Sequence, residues 1–309
     1  MWGIEISSIY FAHFNSLKET ITMNNPKTAL KQENTVIFIH IPRTAGVSLD
    51  AILERQYNPA KIYSLYSPEK LEKFKHLDDE KKANIQLLNG HFMSYGIHER
   101  LPNPSTYITM MRDPVDRVIS HYYFVRRSPN HYLHETVMSN NMTLQEYVGS
   151  ELSIEINNGQ TRLLAGLKEN PGIGIGKGFP EMLDSAKKNI EENFAVVGLM
   201  EEFDKSLILF KKALGWSETF YLKRNETKNR KALKEVPENI IQTIRDYNEM
   251  DIDLYDYAKN RFFKNIESWQ TEFENELQSF QANNQKYGKI YTNFWLGVNK
   301  IRKIFLTSP

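Results

Sequence analysis

Runs of apolar residues alternate with amphipathic stretches along this chain, and the changes of period mark its elements. "NTVIFIHI" (34–41) is a short, β-branched-rich run, which predicts a strand covered on both faces. "IQLLNGH" (85–91), "STYITMMR" (105–112) and "NFAVVGLME" (193–201) predict three more strands. Gly46 to Arg55 reads as a helix, and residues 67–84 as a charged helical stretch with a solvated face. "DPVDRVISHYYFVRR" (113–127) carries the plainest helix signal. Asp113 suits the N-cap and Pro114 the first helical position, while Val115, Val118, Ile119 and Tyr122 form one apolar stripe. Further helices are predicted over 202–216, 237–265 and 266–282. "GIGIGKG" (172–178) has no strand before it and no helix pattern after it, so it reads as a loop rather than a dinucleotide site.

Strands alternating with helices imply an α/β fold, a three-layer α/β/α sandwich with a mainly parallel central sheet. The expected organisation is an N-terminal arm (1–34), one domain (35–265) and a C-terminal helical extension (266–309). Within the extension, residues 291–305 pair aromatics with Lys300, Arg302 and Lys303. They suit an amphipathic helix packed on the domain or a partner, with a peripheral position on an anionic membrane as the other reading.

Composition narrows the chemistry. The 309 residues carry a net charge of +1, so no bulk polyanion surface and no nucleic-acid partner are expected, and any anion site is local. Without cysteine there is no disulfide, thiolate nucleophile or cysteine-ligated metal. Residues 1–14 lack a basic leader and a cleavage site, and no run reaches the ~20 apolar residues of a membrane span. A cytoplasmic protein without a transmembrane segment is expected. No HExxH pattern or EF-hand loop is present, so no metal site is expected.

Two segments carry candidate chemistry. "PRTAGVS" (42–48) joins the first strand to the first helix, where a parallel sheet binds ligands and a helix N-terminus favours anions. Gly46 allows close backbone approach, Thr44 and Ser48 offer hydroxyl donors, and Arg43 offers a planar charged fork. The loop lacks the lysine and first glycine of the GxxxxGK[ST] pattern, which disfavours a metal–ATP enzyme. In "RDPVDRVISHY" (112–122), Arg112 stands between strand and helix and Ser120 lies off the apolar stripe, with Asp113, Asp116 and Arg117 on the polar side. Arg112 and Ser120 clasp one phosphate in this reading; pairing of Arg112 with Asp116 is the alternative.

The two segments together resemble the nucleotide-binding motifs of the carbohydrate sulfotransferases related to heparan sulfate 2-O-sulfotransferase. There a PKTAGTS-like loop binds the 5′-phosphosulfate of PAPS (3′-phosphoadenosine 5′-phosphosulfate), and an RDPxxRxxSxY-like segment binds the 3′-phosphate. The resemblance spans about residues 35–265 and continues through "GHFMSYGIHERLP", "NNGQTRLLAG" and "YLKRNETKNR". It departs at Arg43, where lysine is usual, and at Val47, where threonine is usual.

The resemblance implies PAPS as donor, PAP as product, no metal, and a carbohydrate acceptor: an oligosaccharide, polysaccharide or glycolipid. It assigns the donor to Arg43, Thr44, Ala45, Gly46, Val47, Ser48, Arg112 and Ser120, with Arg224 and Thr227 from a late basic segment. Proton removal from an acceptor hydroxyl suits a histidine. His91 ends the second predicted strand and matches the family's catalytic base, and Arg43 is the candidate for charge stabilisation. Gln160 and Arg162 either line the acceptor cleft or brace their loop, and His98 borders the acceptor site. His40 reads as structural and His121 as packing. Two other functions fit the residues: a nucleotide-binding module without turnover, and an ATP-dependent small-molecule kinase.

Overall fold

A computed structural model describes residues 34–166, 180–217, 219–222, 233–267 and 269–306. The predicted arm, the glycine-rich loop and the segment holding Arg224 and Thr227 fall outside these. Five parallel strands run in the order β2-β3-β1-β4-β5, with β1 Thr35–Ile39, β2 Ile62–Leu65, β3 Leu87–Gly90, β4 Ser105–Met111 and β5 Phe194–Leu199. The central strand β1 is buried throughout, as its unbroken apolar run requires. Helices flank the sheet, giving the expected α/β/α architecture. The missed strand is β2: it lies at the sheet edge, is four residues long and only half buried.

The helices are α1 Gly46–Gln56, α2 Pro68–Lys75, α3 Asp79–Ala83, α4 Pro114–Arg127, α5 His134–Ser139, α6 Leu144–Gly149, α7 Gly159–Ala165, α8 Pro180–Asn193, α9 Phe203–Leu214, α10 Glu238–Asp246, α11 Glu249–Glu267 and α12 Gln270–Leu306. Three predicted boundaries change. The charged stretch 67–84 is two helices, because Asp78 caps a new start by accepting from the Lys81 amide. Residues 237–265 break at Asn248, whose Nδ2 donates to the carbonyls of Ile156 and Ile244. The last helix does not stop at 282 but continues to Leu306.

The apolar stripe of α4 is real but does not face the sheet. Val115, Val118, Ile119, Tyr122 and Val125 form a second core with Val137, Tyr147, Ile241 and Ile244 from α5, α6 and α10. The main core surrounds the sheet, and Phe273, Leu277 and Phe280 of α12 belong to it. Strand order reverses around β1, so the segments leaving β1, β3 and β4 open at one edge of the sheet.

Candidate active site

The loop after β1 is held by unusual backbone. Arg43 (φ 70°) and Ala45 (φ 63°) both adopt the left-handed region. No side chain caps the N-terminus of α1. The Thr44 hydroxyl is not available to a ligand as expected: it is buried and donates to the Ile41 carbonyl at 2.8 Å, which pins the turn. Gly46 also has a different reason from the expected one. A Cβ there would lie 1.9 Å from Nε2 of His40, so the close approach is to an imidazole beneath the loop. Val47 is 53% exposed at the mouth of the turn.

His40 is buried and bound on several sides. Its Nδ1 lies 2.8 Å from Asp50 Oδ2 on α1. Asp50 also accepts from Asn89 Nδ2 at 2.8 Å and from the Tyr66 hydroxyl, which burial and Asp50 itself push far above the usual tyrosine pKa. His91, directly after β3, packs its ring 4.0 Å from that of His40, centroid to centroid. His91 Nδ1 lies 2.9 Å from the His40 carbonyl oxygen. An acceptor at that position puts the proton on Nδ1, so a neutral His91 carries its lone pair on Nε2.

Arg112 follows β4. Its Nη1 donates to the Arg43 carbonyl at 3.0 Å, tying the two motifs together. Its Nε and Nη2 donate to Asp116 Oδ2, with Nε at 2.9 Å, so the alternative ion pair is the one formed here. Burial pulls its pKa down, while Glu201 and Asp113 oppose the shift. Ser120 is reached from the loop: Arg43 Nε donates to its Oγ at 3.2 Å, and the Arg43 guanidinium lies 4.5 Å over the Phe124 ring. Thus Arg43, Arg112 and Ser120 converge. Asp113 does cap α4, accepting from the Asp116 amide at 2.8 Å. Arg117 is not on a polar face; it is 1% exposed and pairs with the buried Asp251.

Gln160 and Arg162 brace. Gln160 clamps both backbone groups of Arg112, accepting from its N–H at 3.1 Å and donating to its carbonyl at 2.9 Å. Arg162 is 2% exposed and donates to the Asn157 carbonyl at 2.9 Å. It lines a cavity of about 20 Å³ behind Pro42, room for roughly one water. His98 is held by another strand: its Nδ1 meets the Tyr107 hydroxyl at 2.7 Å, and Tyr107 pairs with Ile37 at the middle of β1.

Sequence reasoning missed the supports: Asp50 and Asn89 around His40, Phe124 under Arg43, and Asp251 behind Gln160. No spacing linked them, because each acts across elements. His121 is packed as expected, but its company is polar. Its ring nitrogens meet Tyr147 and Glu155 at 2.8 Å, and His121, His131 and Glu155 place potential metal-ligand atoms within 4.8 Å of one another.

A sequence profile described as "Sulfotransferase family" matches residues 26–258. The chain belongs to that family. Human heparan-sulfate 6-O-sulfotransferase 1 is 32% identical over 187 residues, 53% of this chain and 44% of that protein. Zebrafish (Danio rerio) heparan-sulfate 6-O-sulfotransferase 2 is 25% identical over 316 residues, 87% of this chain and 66% of that protein. Mouse galactose-3-O-sulfotransferase 3 is 31% identical over 81 residues, 26% of this chain and 19% of that protein. This sulfotransferase-family chain therefore spans 44% to 66% of the length of the two heparan-sulfate relatives.

Proposed function

We propose that this protein transfers a sulfuryl group from PAPS to a hydroxyl of a carbohydrate, releasing PAP and a sulfate ester. The observation that carries this reading is convergence. Three strand ends bring the 42–48 loop, His91 and Arg112 to one edge of the sheet, in a member of the sulfotransferase family whose relatives are named for carbohydrate acceptors.

The residues divide the work as follows. Arg43, Arg112 and Ser120 hold the nucleotide phosphates, with the amides opening α1 beside them. Arg224 and Thr227 complete donor binding. His91 takes the acceptor proton on Nε2 as the hydroxyl oxygen bonds to sulfur. The bond from sulfur to the bridging oxygen breaks, its electron pair leaves with PAP, and Arg43 offsets the developing charge. Gln160 acts from behind by fixing Arg112.

A reading without turnover has two observations in its favour: Val47 presents an apolar side chain at the loop mouth, and Thr44 spends its hydroxyl internally. Titration calorimetry with PAP, beside ATP plus magnesium, and with Arg112→Ala, tests the donor. Transfer of labelled sulfate from PAPS to a panel of oligosaccharides, with His91→Ala as control, tests turnover. PAP binding lost in Arg112→Ala, with product that needs His91, supports the sulfotransferase. PAP binding without product supports the silent module, and magnesium-dependent ATP binding without PAP binding supports a kinase.

A further inference from the structure

We propose that the outer face of α12 is a docking surface for an anionic lipid bilayer. The helix carries two stripes. On one, Phe273, Leu277 and Phe280 are buried in the main core, and Gly288 lies so close to the chain that an added Cβ would sit 2.7 Å from the Tyr221 carbonyl. Arg55, at the end of α1, holds its guanidinium 5.1 Å over the Tyr291 ring. The helix is therefore fixed on the domain.

The second stripe faces out. Tyr287, Ile290 and Phe294 are 41%, 65% and 55% exposed, and nothing lies within 4 Å of a Cβ built at Gly297. These positions recur at i, i+3, i+7 and i+10, one face of a helix. The sequence continues the same spacing with Val298, Ile301 and Phe305. From Tyr287 to Gly297 this face runs about 15 Å at 1.5 Å per residue. Isolated exposed apolar residues need no explanation, but a continuous stripe of large ones does.

Charge identifies the occupant. From Leu277 to Pro309 there is no aspartate or glutamate, while Lys286, Lys289, Lys300, Arg302 and Lys303 are all basic. The remainder of the chain is net acidic, since the whole carries only +1. Lys286 and Lys289 are exposed beside the apolar stripe. An apolar stripe flanked by cations matches a headgroup and acyl boundary with negative lipids, where lysines keep their charge in water and the rings enter the interface. No helix of the described residues is long and apolar enough to cross a membrane, so the contact is lateral.

Flotation of the full chain with vesicles of phosphatidylcholine alone, and of phosphatidylcholine mixed with phosphatidylglycerol, tests this. Binding to the mixed vesicles alone, weakening as salt rises, is expected. Ile290→Glu with Phe294→Glu should reduce that binding about tenfold or more. Lys286→Gln with Lys289→Gln should weaken it while leaving the thermal midpoint unchanged. Unchanged midpoints in both variants separate lost docking from lost folding, and the charge pair decides the matter if the glutamate pair unfolds. No binding to mixed vesicles, equal binding to phosphatidylcholine, or equal binding by the variants overturns the proposal. So does a lipid-free dimer in sedimentation velocity that the glutamate pair dissolves, which would make the stripe a self-interface.

Discussion

The imidazole of His91 is oriented by the backbone of His40, whose carbonyl oxygen lies 2.9 Å from Nδ1. The same residue that supports the phosphate loop from below therefore fixes the tautomer of the proposed base. Replacing His91 by alanine should lower kcat by about 10²- to 10⁴-fold, the usual contribution of a positioned base. PAP affinity should stay within about twofold, because the donor is held by other residues. Sulfate-transfer kinetics beside PAP calorimetry checks both. A loss of affinity as large as the loss of rate would make His91 a donor-binding residue instead.

Arg112 has two partners to satisfy. Its guanidinium serves Asp116 and the Arg43 carbonyl, and a bound phosphate would compete for the same donors. Arg112→Ala should weaken PAP by about 1.5–3 kcal/mol, the range for hydrogen bonds to charged groups. Arg112→Lys should recover only part, since a lysine is a point charge without the fork. Titration calorimetry on the three proteins reads this directly.

Gly46 and His40 form a steric pair. The Cβ of alanine at position 46 would overlap the His40 ring, at 1.9 Å from Nε2. Gly46→Ala should cost about 1–3 kcal/mol as overpacking. With His40→Ala already present, the cost of the same change should fall well below that. A double-mutant cycle from urea unfolding measures the coupling, and additive effects would show that the loop moves aside freely.

His131 gives the fold a pH dependence. Burial lowers its pKa, the neighbouring His121 and His134 lower it further, and Glu155 opposes them. A histidine with a lowered folded pKa is bound less well in its protonated form. Its stabilising effect is therefore complete above the ordinary value of about 6.5 and is lost as pH falls below it. The thermal midpoint should drop on acidification below about pH 6.5, and His131→Gln should flatten that part of the curve. An unchanged slope in the variant would assign the loss to other groups.

The fold was legible where burial and local signals agreed. Val36 to Ile39 had to be a central strand, and Asp113-Pro114 had to open a helix, because each carries its reason within a few residues. The edge strand Ile62–Leu65 escaped because half-buried residues need no clear pattern. Helix ends escaped wherever the break depends on a distant partner, as at Asn248. Arg43, Ser120 and Arg112 were found from motif spacing and do converge. Gln160 and Arg162 were half read, because a loop that braces and a loop that binds look alike without their partners. Thr44 shows the same limit: a hydroxyl in a phosphate loop reads as a ligand donor until its carbonyl partner is seen. His98 adds a further case: its partner, the Tyr107 hydroxyl, comes from another strand and no spacing signals it.

The deepest support of the site is Asp251. It is fully buried on α11 and accepts from the Gln160 amide at 3.1 Å, the Thr161 amide at 2.7 Å, the Thr161 hydroxyl at 2.8 Å and Arg117 Nη2 at 3.3 Å. Its removal would strand a buried arginine whose pKa burial already lowers, together with amides at the start of α7. Asp251→Ala should therefore cost about 3–5 kcal/mol, as for breaking a buried pair. Arg117→Met should cost less, because Asp251 keeps the Gln160 and Thr161 donors and the methionine fills much of the space. The damage should also reach the donor site. Gln160 is held by Asp251 and in turn clamps the backbone of Arg112, so Asp251→Asn, which retains the shape but weakens these bonds, should loosen PAP binding without contacting it. Urea midpoints for all three variants, and PAP calorimetry on those that fold, test the chain of supports. An Asp251→Asn protein that is destabilised yet binds PAP normally would show that Gln160 holds Arg112 in place without the Asp251 carboxylate.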